Sequence, residues 1–405
     1  MKQRLPHGVL YSIMAAAILL ALIWWWLPGF ALSLLVQSCA AVIICASLRV
    51  LVGMGGIISF GHALYVGAGA YGTAHLLQAV EAQHFFVPLL LAPVAGGVAG
   101  LLVAVIAGWL CTRRTHPIFM AMVTLALCEL AYTLAQMWPA LFGDESGIPF
   151  DRTAGNFLGL NFADERLVLI LALLYSVVVL FLLHGFTRTP AGKWLVASRE
   201  DAMRVASLGM YPARFQYMAF LIAGFFAGIG GGLLAIELEG AHASMLSVVQ
   251  SGSYLMFTYL GGLGSVVGSL IGGGAFSLGI VWLPAITPVW ELYLGLLFVY
   301  VVLYWPQGIV GAINSGYLQW LNHKELRSKM VLMVIAKAGC CIGAIGMVEG
   351  GYRFWRAYMA ASGNGFPLTE LFSGWLIACM AICIICLGSI LVLQRQSHRK
   401  AGRAS

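Results

Sequence analysis

Hydrophobic positions come in long runs separated by short polar connections: 10–27, 32–48, 50–77, 87–110, 119–137, 167–183, 215–234, 255–271, 276–283, 292–304, 330–348 and 371–393. The runs are apolar on all faces, the pattern of helices surrounded by lipid or by other helices rather than of amphipathic surface helices. Several are shorter than the ~20 residues that a straight crossing needs, and glycines interrupt others, so tilted or broken helices are predicted. The fold class is therefore all-α, a polytopic transmembrane helical bundle.

Composition sharpens this. Hydrophobic residues make up 61% of the chain and charged residues 9%, against about a quarter charged in soluble domains. The net charge of +7 is not concentrated on one stripe or tail, which argues against a nucleic-acid partner; the bases lie in short clusters between apolar runs, as in a lipid-embedded protein. With Lys2 and Arg4 inside, Arg49, Arg113, Arg114, Arg188, Lys193, Arg199, Arg204, Arg214, Lys324, Arg327 and Lys329 all fall on one side, and Arg395 to Arg403 join them. Glu81, Asp144, Glu145, Asp151, Asp164, Glu165, Glu237 and Glu239 fall on the other. Both termini are expected to be cytoplasmic. The run at 10–27 exceeds the ~7–15 residues of a signal-peptide core and reads as an uncleaved first span. The nine cysteines read as small core or lipid-facing residues. Cys379, Cys383 and Cys386 share a helix face, but no histidine or acid joins them at ligand spacing, so no metal site is expected.

Two glycine-broken stretches, GMGGIISFGHALYVGAGAYG at 53–72 and GSYLMFTYLGGLGSVVGSLIGGG at 252–274, have the look of an internal repeat. Paired interrupted helices point to a transport path near mid-membrane, or else to close helix packing. Ser59 and His62 lie on the first stretch, and Glu129 lies inside a span where an ionisable group is costly. These three are the candidates for a translocation path. His62 suits a hydrogen bond to a freed backbone carbonyl as well as a ligand contact, and Glu129 suits a helix–helix hydrogen bond.

The longest polar stretch on the basic side, 187–214, centres on SREDAMRVASLGMYPARF. Ala202, Val205, Ala206 and Gly209 recur at i, i+3, i+4 and i+7, giving a small apolar helical face rimmed by Arg199, Glu200 and Arg204. A short helix of this kind either seats in a partner's groove or rests on lipid headgroups.

REDAMRVASLGMYPARFQYMAFLIAGFFAGIGGGLLA resembles the cytoplasmic loop and following span of LivM-type permeases, the branched-chain amino acid permease subunits of ABC importers. LVGMGGIISFGHALYVGAGAYG resembles that family's third span, YLGGLGSVVGSLIGG its late glycine-rich span, and WPQGIVGAI the segment that closes its core. The matches run in family order over about residues 10–313. The outer loop LFGDESGIPFDR departs from the family pattern, and two apolar runs follow where the core ordinarily ends. The resemblance implies a permease core of about ten spans over 1–318, with a C-terminal extension of two further transmembrane helices over 319–405. It places a coupling helix at Arg199, Glu200, Asp201, Ala202, Val205, Ala206 and Gly209.

The function implied is that of a non-enzymatic permease subunit in the bacterial inner membrane, importing branched-chain amino acids. Urea, short amides or aromatic acids are alternative cargoes, and a stand-alone secondary transporter is the rival class. The partners implied are two cytoplasmic ATPase subunits, a LivH-type sister permease, a periplasmic binding protein and the bilayer. No cofactor is expected on this chain: no GxxxxGK[ST] string occurs, and TPAGKW at 189–194 lacks the first glycine and the hydroxyl residue, so ATP belongs to the partners.

In a cysteine-free background, a Lys400→Cys variant should stay unlabelled by an impermeant thiol reagent in intact spheroplasts; labelling from outside would break the twelve-run topology.

Overall fold

The computed structural model describes residues 28–312 apart from 83–86, 114–115, 145, 157–160 and 306. The first apolar run, the 318/319 boundary and the C-terminal helix pair lie outside the described residues. Helix α1 (Gly29–Arg49) is carried on by a π-helical turn, Val50–Met54. Then come α2 (His62–Glu81), α3 (Ala92–Thr112), α4 (Pro117–Met137) and α5 (Glu165–Arg188). Two short helices follow, α6 (Pro190–Glu200) and α7 (Ala202–Ser207). The chain continues through α8 (Pro212–Leu238), α9 (Val248–Gly261), α10 (Val266–Ser277) and α11 (Trp290–Tyr304).

Among the described residues six helices are long and apolar enough to cross a membrane: Gly29–Met54, Leu89–Thr112, Pro117–Met137, Glu165–Arg188, Pro212–Leu238 and Val266–Ile286. The protein is a multi-pass membrane protein built as a helical bundle. Helix α2 has the length but not the hydropathy. Its glycines and its His62, Thr73, His75, Gln78 and Glu81 dilute it, and it lies within the bundle with most of its length buried.

The core is α2, α3 and α8, brought together by small residues. A Cβ on Gly69 or on Gly96 would run into the Gly228 carbonyl, and one on Gly231 into that of Val66. In lipid no hydrophobic gain drives helices together, so this backbone approach, with its dispersion contacts, does the holding. Thr73 Oγ1 donates to Gly69 O at 2.9 Å within α2. Around this core, Gly273 of α10 sits against Val42 of α1, and Ser176 Oγ of α5 lies 3.0 Å from Cys39 O of α1.

At one end the acidic loop folds onto the end of α8. Strands β1 (Ile148–Pro149) and β2 (Gly240–Ala241) pair antiparallel, and Arg152 Nε meets Glu239 Oε1 at 2.8 Å. Hydrogen bonds from Thr153 hold the Asp151 carboxyl below its usual range. The other end carries Arg49, Arg188, Arg199, Arg204 and Arg214.

Contacts divide the chain into two units. Of the described residues, one holds 28–285 and 300–311 and the other 286–299 and 312. Within the described part of the second, Thr287 Oγ1 accepts from Val289 N at 3.3 Å.

One reading of the sequence is located and two change. Run 50–77 is broken, as its glycines suggested: the chain leaves α1 after Met54, runs irregularly through 55–61 and restarts at His62. Runs 255–271 and 276–283 are divided elsewhere, because α9 stops at Gly261, Gly262 takes φ 112°, and the next helix runs unbroken from Val266 to Ile286. Arg49 is not in a connection. It is inside the Gly29–Met54 helix and only 4% exposed, because its flanking runs form one continuous helix.

Gly228→Leu should abolish accumulation of folded protein, since its side chain would have to displace the α3 backbone. Gly274→Leu, where an added Cβ meets nothing within 4 Å, should be tolerated; membrane-fraction yield and size-exclusion profile of the two variants check this.

Candidate functional site

The two glycine-broken stretches meet. Helix α1 ends in nested bonds, Ile57 N to Leu51 O at 3.0 Å and Gly56 N to Val52 O at 3.2 Å, closing over Gly56 at φ 66°. This is a glycine-stopped helix end, one residue wider than usual because the preceding turn is π-helical. Gly53 packs against the Leu263 carbonyl in the second break. The chain then climbs through 55–61, with Ile57 and Ser59 buried and Ile58 and Phe60 each 38% exposed.

Helix α2 begins at the level of Ser47, about 10 Å along α1 from Met54 at ~1.5 Å per residue. A helix starting inside a membrane leaves amide groups that no water can satisfy. Its N-cap, Gly61, offers no side chain. The cap comes instead from α9: Ser251 Oγ accepts from His62 N at 2.8 Å and from Ala63 N at 3.4 Å. Ser47 Oγ donates its proton to Ile44 O at 2.7 Å, so it accepts from His62 Nε2 at 2.8 Å. That fixes the His62 tautomer. The ring is fully buried, lies edge-on to Tyr65 at 5.7 Å, and leaves Nδ1 without an acceptor role among the described residues.

Of the three path candidates, Ser59 and His62 are thus near each other and inside the protein; Ser59 Oγ has no described partner. Glu129 is elsewhere, on the exposed face of α4. There Glu129, Thr133 and Gln136, at i, i+4 and i+7, form a polar stripe among Met122, Leu130 and Met137.

On the basic side the predicted single helix is two, divided at Asp201. Asp201 is an N-cap: its Oδ1 accepts from Arg204 N at 2.9 Å, and Oδ2 lies 3.4 Å from Arg204 Nε. Helix α7 closes with a Schellman end, Met210 N to Val205 O and Gly209 N to Ala206 O, over Gly209 at φ 80°. Val205 is buried and does not belong to the outer face; it anchors α7, because the short helix must bury one side chain to stay seated. Glu200, Ala202, Ala206 and Gly209 are exposed, with Met203 (82%) and Leu208 (65%).

Helix α6 holds the end of α1 along one face. Gly192 lies against Met54, Leu195 against Gly55, and Arg199 covers Gly56 while Nη1 donates to Gly53 O. A stack of Trp194 on Phe215 (6.2 Å, 17°) joins α6 to α8. No pattern of side chains in the sequence signals this grip, since Arg199 binds a backbone carbonyl.

A family model described as "Branched-chain amino acid transport system / permease component" matches residues 30–304. The high-affinity branched-chain amino acid transport system permease protein LivM of Escherichia coli (strain K12) is 29% identical over 294 residues, covering 66% of this chain and 67% of that protein. The protein of the same name from Salmonella typhimurium is 28% identical over 291 residues with the same coverage. No solved structure matches the chain.

Ser251→Ala should lower stability by about 1 kcal/mol, the usual cost of losing a helix cap. Ser47→Ala should cost about 1–3 kcal/mol by stranding a buried imidazole N–H. Thermal unfolding in detergent reads both, and a midpoint unchanged in both would remove the capping account.

Proposed function

The chain belongs to the branched-chain amino acid permease family as a LivM-type member, and on that premise we propose that it forms one half of the translocating core of a binding-protein-dependent importer of branched-chain amino acids. A transport component of this kind is not itself an enzyme. ATP is hydrolysed on two cytoplasmic ATPase subunits; a LivH-type sister permease supplies the other half of the core, and a periplasmic binding protein delivers the ligand. The basic end faces the cytoplasm and the acidic end the periplasm.

The observation that carries the coupling part is the division of labour between α6 and α7. Helix α7 presents Ala202, Ala206 and Gly209 outward with Met203 and Leu208, a small-residue face with apolar knobs that fits a groove. Helix α6 grips the end of α1 through Leu195 and Arg199. Movement of the ATPases displaces α7, and α6 delivers that displacement to the 53–61 break and, through Gly53 and Leu263, to the second break. Each ligand then biases a two-state equilibrium already present in the bundle.

Glu129, Thr133 and Gln136 support placing the α4 face against the sister permease and the path between the two. A carboxyl exposed at mid-span to lipid is costly, and a partner helix or a wet path removes that cost. Ser59, beside exposed Ile58 and Phe60, borders the same path; His62 positions the start of α2.

Ala206→Asp should leave insertion intact while cutting leucine uptake and leucine-stimulated ATP hydrolysis by about tenfold or more, equivalent to ~1.4 kcal/mol of lost coupling. Proteoliposomes holding the full complex and its binding protein measure both. Normal uptake by this variant would refute the docking role, and wild-type complex that hydrolyses ATP without moving leucine would refute the cargo.

A further inference from the structure

Arg49 is the most deeply buried charged side chain described, and no counter-charge pairs with it among the described residues. It is 4% exposed, and its Nε and Nη2 have no hydrogen-bond partner among the described residues. The two ion pairs described, Arg152 with Glu239 and Arg204 with Asp201, do not involve it. An unpaired guanidinium held away from water is among the costliest groups a fold can carry, so its donors call for an anion.

A second basic group stands at the same depth. Helices α1 and α5 run parallel and touch at Cys39 and Ser176. Arg49 lies ten residues beyond that contact and His184 eight residues beyond it, which at ~1.5 Å per residue puts them within about a turn of each other. Arg49 and Arg188 both act electrostatically on His184, and His184 Nε2 is also buried without a partner. The next residue, Gly185, is exposed on the side of α5 turned away from α1, where a side chain would meet nothing within 4 Å. The flanking positions Phe181 (65% exposed) and Leu182 (51%) are apolar and turned outward, as acyl chains require.

We propose that the basic end of the α1–α5 seam is an anion site for a phosphate group, with Arg49 and His184 as its donors and Arg188 at its rim. A guanidinium and an imidazole N–H together match the oxygens of a phosphate. Two sources carry that group: the headgroup of an anionic phospholipid, whose chains would lie on Phe181 and Leu182, and free inorganic phosphate.

The test uses the full chain purified with its accompanying subunits. In the lipid arm, native mass spectrometry follows phosphatidylglycerol retained after detergent exchange, with phosphatidylcholine as the control. In the phosphate arm, the unfolding midpoint of delipidated protein is compared in phosphate and in chloride at equal ionic strength. Phosphatidylglycerol retained by wild type and reduced about tenfold by Arg49→Gln and by His184→Gln assigns the site to lipid. A phosphate-dependent rise in midpoint, lost in Arg49→Gln and His184→Gln with no lipid retained, assigns it to the free anion. His184→Gln keeps the lipid arm decisive should Arg49→Gln fail to accumulate, because His184 is only half-buried and its replacement removes a proposed donor without stranding a charge. Retention and midpoints alike in wild type and variants would overturn the proposal.

Discussion

A helix that begins inside the membrane depth leaves its first amide groups without water, and much of this bundle is arranged to satisfy one such start. Helix α2 starts at His62 because 55–61 is irregular, and Gly61 brings no acceptor. The acceptor must therefore come from another element, which ties the first half of the chain to α9 through Ser251. The same need places Ser47 under the imidazole. With its one proton committed to Ile44 O, Ser47 can only accept, and His62 can only donate. The chain of hydrogen bonds from Ile44 to His62 thus has one direction, and it joins α1 to α2 across the break.

Around that fixed point the bundle separates rigid from exposed surfaces. The contact of α2, α3 and α8 at Gly69, Gly96 and Gly228 has no room for any side chain, so these three helices pack backbone against backbone. Helix α4 is the opposite case, since most of its surface is turned outward and carries the Glu129 stripe. Helix α6 lies between these regimes: it grips the end of α1 at Met54, Gly55 and Gly56, while the neighbouring α7 is held by little more than Val205 and its caps.

Much of this could be read in the sequence, and what could not has physical causes. The apolar runs located the helices because lipid demands uniform hydrophobicity, and the glycine clusters at 53–72 and 252–274 marked the broken regions. The positions of the breaks were hidden, because a hydropathy pattern does not register the positive φ of Gly56 or Gly262. Arg49 resembled a loop cation because a single base between two apolar runs looks the same whether the helix stops there or continues. Arg199 was placed in the right segment but its partner, the Gly53 carbonyl, has no side-chain signature, and Ser251 is one serine among many. The Glu129, Thr133 and Gln136 stripe was within reach, since i, i+4 and i+7 spacing shows it once the helix is assumed.

The cap on α2 also sets a timetable for making the protein. Ser251 lies 189 residues after the amide it satisfies, so at a synthesis rate of about 5–20 residues per second the start of α2 waits roughly 10–40 s for its acceptor. During that interval the 55–63 backbone must stay near water or be held by the insertion machinery. The first half of the chain thus enters the bilayer unfinished, and the arrival of α9 is the step that makes its burial final.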